Sequence, residues 1–414
     1  MSSIMRIALC IAALCACGAA AAETVLVADF RAGGAAGEGD DALSLGLPYL
    51  IARTLNGTPG CQAILPDLPP SRLIPRLYDS KGMPDFEEAS RLRTGAGADR
   101  CLLGRAVRSG NAADAGGAST VTFYLATSGD APPEAFGADV AGDGCLPALA
   151  AWAAGKVNPA SSGIPALKMP PGLLPSFSRG LKLLREGNPA GAERALLAAA
   201  KEYPGSPDAR CLLGLAAGGH GKPYAALRLF NESANLDTGF SLPAYREGKL
   251  WLSLDRATLA ESAFDRAAGI QPSFFEALLE SGTLKTGRGD FSGAEGALRR
   301  AIKMRPRNTE ARYRLADCLA RGGKEDQAQG ILAALVAGNG EHGPARYLLG
   351  RLLFQAGDYR AAELEARKAV RLMPDDPEAH TLLADSLSRQ GGTNRHAEAA
   401  VELRKAIWLK DKGK

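Results

Sequence analysis

One spacing constrains this chain more than any other feature: from residue 173 to residue 411, small and bulky side chains return every 34 residues. With each unit numbered from its first residue, position 8 reads Gly180, Gly214, Gly248, Gly282, Ala316, Gly350 and Ala384. Position 20 reads Ala192, Ala226, Ala260, Ala294, Ala328 and Ala362, whereas position 24 is mostly bulky, with Leu196, Phe230, Phe264, Leu298 and Leu332. Position 32 is Pro204, Pro272, Pro306 and Pro374 in four of the units. A helix must stop there, because proline disfavours helical geometry in the residue before it. The seventh unit resumes the register at Ala399, Leu403 and Ala406 after a three-residue insertion within Gly391 to Arg395. A period of this length means a stack of like supersecondary units, none of which can bury its apolar face alone.

Each unit reads as two antiparallel helices. A glycine inside a helix costs about 1 kcal/mol relative to alanine, so its return at position 8 predicts two backbones in close approach. Gly289-Asp290-Phe291 and Gly357-Asp358-Tyr359 supply a turn and the start of the second helix. In spacing and in these small and bulky positions the region resembles the tetratricopeptide repeat family, although that family's Trp at position 4 is missing throughout. The resemblance implies seven repeats over residues 173–411, an all-α solenoid of helix pairs wound as a right-handed superhelix and capped by the Leu403 to Lys410 helix. It also implies a concave groove lined by positions 2, 5, 9 and 12 of each first helix. Position 5 includes Tyr245, Tyr313 and Tyr347, and position 9, one turn on, contributes Lys249, Asp317 and Arg351. These six are the candidate protein-binding residues, with ordinary packing as the competing role of the tyrosines. A ring with a polar tip beside a cation suits a partner segment carrying apolar and acidic side chains. The Lys and Asn set with which some members of the family hold a terminal carboxylate is absent, since Lys249 and Arg351 have no Asn in the matching places.

The other end of the chain speaks to compartment. Arg6, the apolar run Ile7 to Cys17 and Ala20-Ala21-Ala22 form the three-part pattern of a secretory signal peptide over residues 1–22, so the mature chain is expected to start at Glu23 in the periplasm. The uncharged stretch Ile7 to Ala22 is 16 residues long, short of the roughly 20 that a membrane-spanning helix needs. Leu14-Cys15-Ala16-Cys17 resembles a lipobox, which implies the alternative of an outer-membrane lipoprotein anchored through Cys17.

Residues 158–172 hold Pro159, Pro165, Pro170 and Pro171, a composition that resists helix and reads as a linker. Before it, residues 23–157 show short apolar strands over Thr24 to Phe30 and Ala63 to Leu65, and a hairpin of Cys101 to Val107 with Thr120 to Ala126. Helical patterns cover Asp41 to Leu55, Asp85 to Arg93 and Leu146 to Val157. The order β-α-β-α-β-β-α predicts a small α/β sandwich. Val27-Ala28-Asp29-Phe30, the helix around Ala42 to Leu47, and Gly97 to Arg105 make this part similar to the TolB N-terminal-like domains. That resemblance implies protein association in the bacterial cell envelope and no catalysis.

Charge and chemistry agree with a binding role. The net charge is +4, too little for nucleic-acid binding driven by counterion release. Residues 23–155 carry 10 basic and 16 acidic side chains, and residues 156–414 carry 38 and 29, so the halves stand at −6 and +9. Past the leader the cysteines are Cys61, Cys101, Cys145, Cys211 and Cys318, an odd number. Cys101 with Cys145 is the candidate disulfide, because the hairpin returns the chain to the start of the strand that Cys101 opens; Cys211 and Cys318 fall inside first helices and read as buried thiols. No Cys-x-x-Cys stands in the mature chain and the four His are scattered, so no metal site, cofactor site or catalytic constellation follows from spacing. The loop Gly33 to Gly39 has neither phosphate-binding spacing, and Glu38, Asp40 and Asp41 would repel an anion. The sequence therefore points to an exported, non-catalytic scaffold that binds protein segments. A lipid-anchored outer-membrane assembly factor is the alternative, and an envelope nucleotide binder or hydrolase centred on the N-terminal domain is a weaker one.

Overall fold

A computed structural model describes residues 23–27, 31–33, 51, 61–64, 88–89, 91–92, 100–108, 119–126, 134–140, 173–338 and 340–412. The leader, the linker over residues 158–172, Cys145, the glycine-rich loop beyond Gly33, and nearly all of the expected helices of the N-terminal part lie outside these residues. The chain divides into two compact units, Met1–Leu278 with Lys303–Pro306, and Leu279–Ile302 with Arg307–Lys414.

The first unit contains a six-stranded sheet made of β1 (Glu23–Val27), β2 (Arg31–Gly33), β3 (Cys61–Ile64), β4 (Arg100–Arg108), β5 (Ser119–Ala126) and β6 (Glu134–Val140). β1 lies between β3 and β4 and runs parallel to both, with Val25 opposite Ala63 and Arg100. β2 follows β4 further along, Arg31 opposite Arg105. β1 lies within the strand expected over Thr24 to Phe30 apart from its first residue, and β2, beyond the expected end, has no counterpart in the sequence reading. β4 and β5 form the expected antiparallel hairpin, with Cys101 opposite Ala126 and Arg108 opposite Ser119. β6, paired to β5, has no counterpart in the sequence reading. Its Ala135, Gly137 and Ala138 are poor strand formers, and only the ladder with β5 makes them extended.

Fourteen helices follow, two for each 34-residue unit. The first helices are α1 (Leu173–Arg185), α3 (Pro207–Gly219), α5 (Leu242–Ser253), α7 (Phe275–Arg288), α9 (Thr309–Arg321), α11 (Gly343–Gln355) and α13 (Pro377–Gln390). The second helices are α2 (Pro189–Glu202), α4 (Pro223–Leu236), α6 (Ala257–Ile270), α8 (Phe291–Met304), α10 (Glu325–Gly338), α12 (Tyr359–Leu372) and α14 (Thr393–Lys412). Local chemistry sets their ends. Ser206, Asn308 and Asp376 accept backbone N–H bonds as N-caps of α3, α9 and α13, and Asn188, Asp290 and Asp358 do so for α2, α8 and α12. The turn inside every unit places position 15 at positive φ: Gly187, Gly221, Asp255, Gly289, Gly323, Gly357 and Gly391. Six of the seven are glycine, the residue that adopts this conformation without steric cost, and Asp255 at φ 56 is the exception.

The recurring glycine at position 8 has a direct packing cause. A Cβ on Gly214 would stand 2.8 Å from Phe230, one on Gly248 2.6 Å from Phe264, and one on Gly282 2.6 Å from Leu298. In each pair the partner is the position-24 side chain of the same repeat, so the two helices close until the bulky side chain fills the space a Cβ would need. In the sixth repeat position 24 is Ala366, and the nearest atom to a Cβ on Gly350 is Leu382 Cδ2 at 3.1 Å. In two repeats an arginine that meets backbone carbonyls stands at position 4, where the family's Trp is missing. Arg210 donates to the carbonyls of Pro204 (3.3 Å) and Ala200 (3.4 Å), and Arg346 to that of Gly340 (2.6 Å), so each caps the end of the helix before it. Cys211 and Cys318 are buried inside first helices, as expected.

Candidate protein-binding face of the first helices

Tyr245 and Lys249 belong to the first unit; Tyr313, Asp317, Tyr347 and Arg351 belong to the second. Helix periodicity brings position 9 one turn beyond position 5, so each tyrosine has its charged companion on its own helix.

On α5, Tyr245 is half-buried against Phe264 and Phe274, with ring centroids 5.5 and 5.0 Å away. Arg246 lies over its ring, Cζ 5.8 Å from the centroid. Close by, Arg305 is 5% exposed, stacks on Phe275 at 4.0 Å and pairs with Glu276 at 2.6 Å. Burial pulls its ionisation down, and the Glu276 carboxylate opposes that. Tyr245 is therefore in large part a packing residue, while Lys249 is exposed.

The second unit brings its four candidates together. Tyr313 on α9 is half-buried, its ring 5.2 Å from His342. Burial raises its phenol's pKa first and the Asp317 charge second, while Arg314 and Arg351 pull the other way. Tyr347 on α11 is also pushed up by burial, and Arg351 opposes the shift with its charge and a hydrogen bond. The Arg351 guanidinium sits 6.0 Å from the Tyr347 ring centroid, and its buried Nε has no hydrogen-bond partner among the described residues. Arg351 thus lies over the Tyr347 ring, and its charge is the smallest of the influences on Tyr313. Asp317 also faces Arg321 at 4.0 Å.

Sequence reasoning missed the acids that surround this cluster. Glu310, at position 2, binds Arg314 at 2.6 Å and faces His342 at 3.8 Å; the His342 contact is the main cause holding its carboxyl below the usual range. Glu378 and Asp376 raise the Tyr347 phenol through their charge. Asp385, at position 9 of the last repeat, is pushed up by burial, against the pull of Arg389. The signal was present, since Glu310 and Glu378 share position 2 and Asp317 and Asp385 share position 9. No group of three or more His, Cys, Asp or Glu side chains able to hold a metal ion occurs among the described residues. The candidate disulfide is outside what can be described, because Cys145 is.

A helix pair repeated at constant spacing, with a small residue opposite a bulky one, makes the C-terminal region an all-α helix-repeat structure. Tetratricopeptide repeat models match residues 286–340 and 334–385 in one form and 177–239 in another. No curated protein matches the chain. Among solved structures, YrrB, described as a tetratricopeptide repeat protein with an unusual peptide-binding site, is 22% identical, with 45% of this chain and 95% of that one covered at a TM-score of 0.41. A tetratricopeptide repeat protein from Parabacteroides merdae is 19% identical over 57% and 93% of the two chains, TM-score 0.44. MamA from Desulfovibrio magneticus is 23% identical over 42% and 96%, TM-score 0.37.

Proposed function

We propose that this protein is a non-catalytic scaffold that captures a segment of another protein on the first-helix face of its repeats. The observation that carries this reading is that successive first helices each present a half-buried tyrosine, Tyr313 and Tyr347, with the Arg351 guanidinium 6.0 Å from the Tyr347 ring centroid. Half-buried rings with polar tips beside a charge are typical of binding hot spots. The acids around Arg351 refine the partner. A segment rich in carboxylates would meet Glu310, Asp317, Glu378 and Asp385 as like charges, so the fitting segment offers apolar side chains to the rings, one acidic group to Arg351 and basic groups on either side. On the first unit, Lys249 is by itself a candidate contact for an acidic group.

The proposal extends to export into the cell envelope, supported by the leader pattern and by the similarity of residues 23–157 to TolB N-terminal-like domains. An intact mass beginning at Glu23 is expected, and an acylated Cys17 at the N-terminus would establish the lipid-anchored alternative instead.

A photo-crosslinking amino acid placed at residue 249 or 351 in living cells tests the binding face, with residue 364 on the outward side of α12 as the comparison. Adducts are expected from 249 and 351, and they disappear in Lys249→Glu with Arg351→Glu when the label is moved to residue 317. Adducts from residue 364 alone, or an unchanged yield in the double variant, would sink the reading. Charge reversal is the better probe, since Tyr313 and Tyr347 also pack against the buried core and their truncation to alanine would cost stability.

A further inference from the structure

The last repeat carries a titratable copy of a contact that the sixth repeat makes with a permanent charge. In the sixth repeat Arg346, at position 4, donates from Nε to the Gly340 carbonyl and from Nη1 to Glu365, each at 2.6 Å. Gly340 is position 32 of the preceding repeat and Glu365 is position 23 of the same one. In the seventh repeat His380 occupies position 4. Its Nε2 lies 3.0 Å from the carbonyl of Pro374, again position 32 of the preceding repeat, and its Nδ1 lies 2.5 Å from Glu402 Oε2. Glu402 is the counterpart of Glu365 once the three-residue insertion is taken out.

Proton count decides what this arrangement is. A carbonyl oxygen has no proton to give, so Nε2 must carry one. Nδ1 then faces a carboxylate oxygen, and a second proton has to lie between them, because a bare ring nitrogen and a carboxylate would oppose lone pair to lone pair. His342 shows the other case: its Nδ1 accepts from the Ala345 N–H at 3.1 Å and its Nε2 faces Glu310 at 3.8 Å, so one proton satisfies the ring. His380 is 0% exposed, so water cannot take the place of either partner.

We propose that His380 is a proton-dependent clasp for α14. Carrying both protons, the ring ties Glu402 of α14 to the chain end of α12; losing one, it leaves α14 held by fewer contacts. Arg346 performs the same task without titrating, since a guanidinium stays charged. What α14 covers gives the clasp its effect, because Ala399 packs on the buried cluster of Ala366, Leu382, Leu383, Ala384 and Leu387. The other charged groups at this junction are Arg367 of α12 with Glu398 of α14, Glu378 of α13 with Lys410 of α14, Glu363 of α12, and Asp376 at the N-cap of α13. None is an imidazole. His396, the second histidine of this repeat, is exposed. Because the closed form holds the extra proton, the hold on α14 weakens in the direction of rising pH, as that proton is lost.

Nitrogen NMR of the full chain with labelled histidine, together with amide exchange of α14, tests this. Both ring nitrogens of His380 are expected to carry a proton at the acid end of the series, where α14 is held closed. Exchange of α14 amides, corrected for intrinsic chemistry, should rise by about tenfold or more towards pH 8, the weight of one charge-assisted hydrogen bond. His380→Arg should flatten that rise and His396→Gln should leave it in place. A His380 ring with a single proton at the acid end, or a rise that persists in His380→Arg, would overturn the proposal. Should His380→Arg fold poorly, Glu402→Gln serves in its place, since an amide facing Nδ1 needs no second proton; an undiminished rise in that variant overturns the clasp equally.

Discussion

Gly248→Ala isolates the contact that sets the distance between the two helices of a repeat. The added Cβ would stand 2.6, 2.7 and 2.9 Å from Cε1, Cδ1 and Cζ of Phe264, closer than real Cβ atoms come to ring carbons. Phe264 is 0% exposed, so the ring cannot swing into solvent and must push its neighbours instead. Gly269, in the second helix of the same repeat, has nothing within 4 Å of the same added atom. Alanine improves helix propensity by roughly 0.8–1 kcal/mol at either site, a gain that largely cancels in the comparison. What remains is overpacking at Gly248, about 1–3 kcal/mol. For a repeat array of this size each kcal/mol moves the melting temperature by roughly 2–4 °C, so Gly248→Ala should melt several degrees below Gly269→Ala in a thermal scan. A further comparison guards the inference. Gly350→Ala should be tolerated, because the one tight contact of its Cβ is the flexible end of Leu382 at 3.1 Å, the backbone of Ala362 and Ala366 lies at ordinary contact distances of 3.4 and 3.5 Å, and alanine already stands at this position as Ala316 and Ala384. If Gly248→Ala melts with or above Gly269→Ala, position 8 is not a close-packed contact and the account of the spacing is wrong.

Asp255→Gly should stabilise the first unit by about 1 kcal/mol, since Asp255 alone holds the position-15 turn at φ 56 with a side chain present; denaturant titration showing no gain would refute the strain. Glu295 has its carboxyl held below the usual range by Lys324 first and Arg299 next. A depressed carboxylate stabilises the fold above its unfolded pKa and loses that contribution as pH falls through the folded one. Glu295→Gln should therefore lose less melting temperature than the parent between about pH 5 and 3, and equal losses would contradict the pairing. Burial pushes the Cys318 thiol up, and the residue is 1% exposed, so alkylation in the native state should be slow at mildly basic pH and become fast in denaturant; rapid native labelling would place it at the surface.

The sequence by itself determined the helix pairs. Glycine, proline and the caps act on the backbone next to them, so their return at 34 residues located every repeat, and the first helices begin at or within one residue of the positions that this register predicts. It also located Tyr313, Tyr347 and their charged companions, because helix periodicity alone puts position 9 one turn beyond position 5. The partners of those side chains were decided only by tertiary structure. That Tyr313 meets His342, that Tyr245 is closed in by Phe264 and Phe274, and that Glu193 binds Lys222 at 2.9 Å depend on the distance and rotation between helices, which no local preference encodes. β6 belongs with them, since its alanines and glycine are extended only because β5 offers a ladder. The position-4 cations show the division within one motif. Arg210, Arg346 and His380 stand at the same position of their repeats in the printed sequence, yet their purpose emerges only when the preceding helix delivers the carbonyls of Pro204, Gly340 and Pro374 to meet them. Local sequence places a donor; only the packed chain supplies an acceptor at hydrogen-bonding distance.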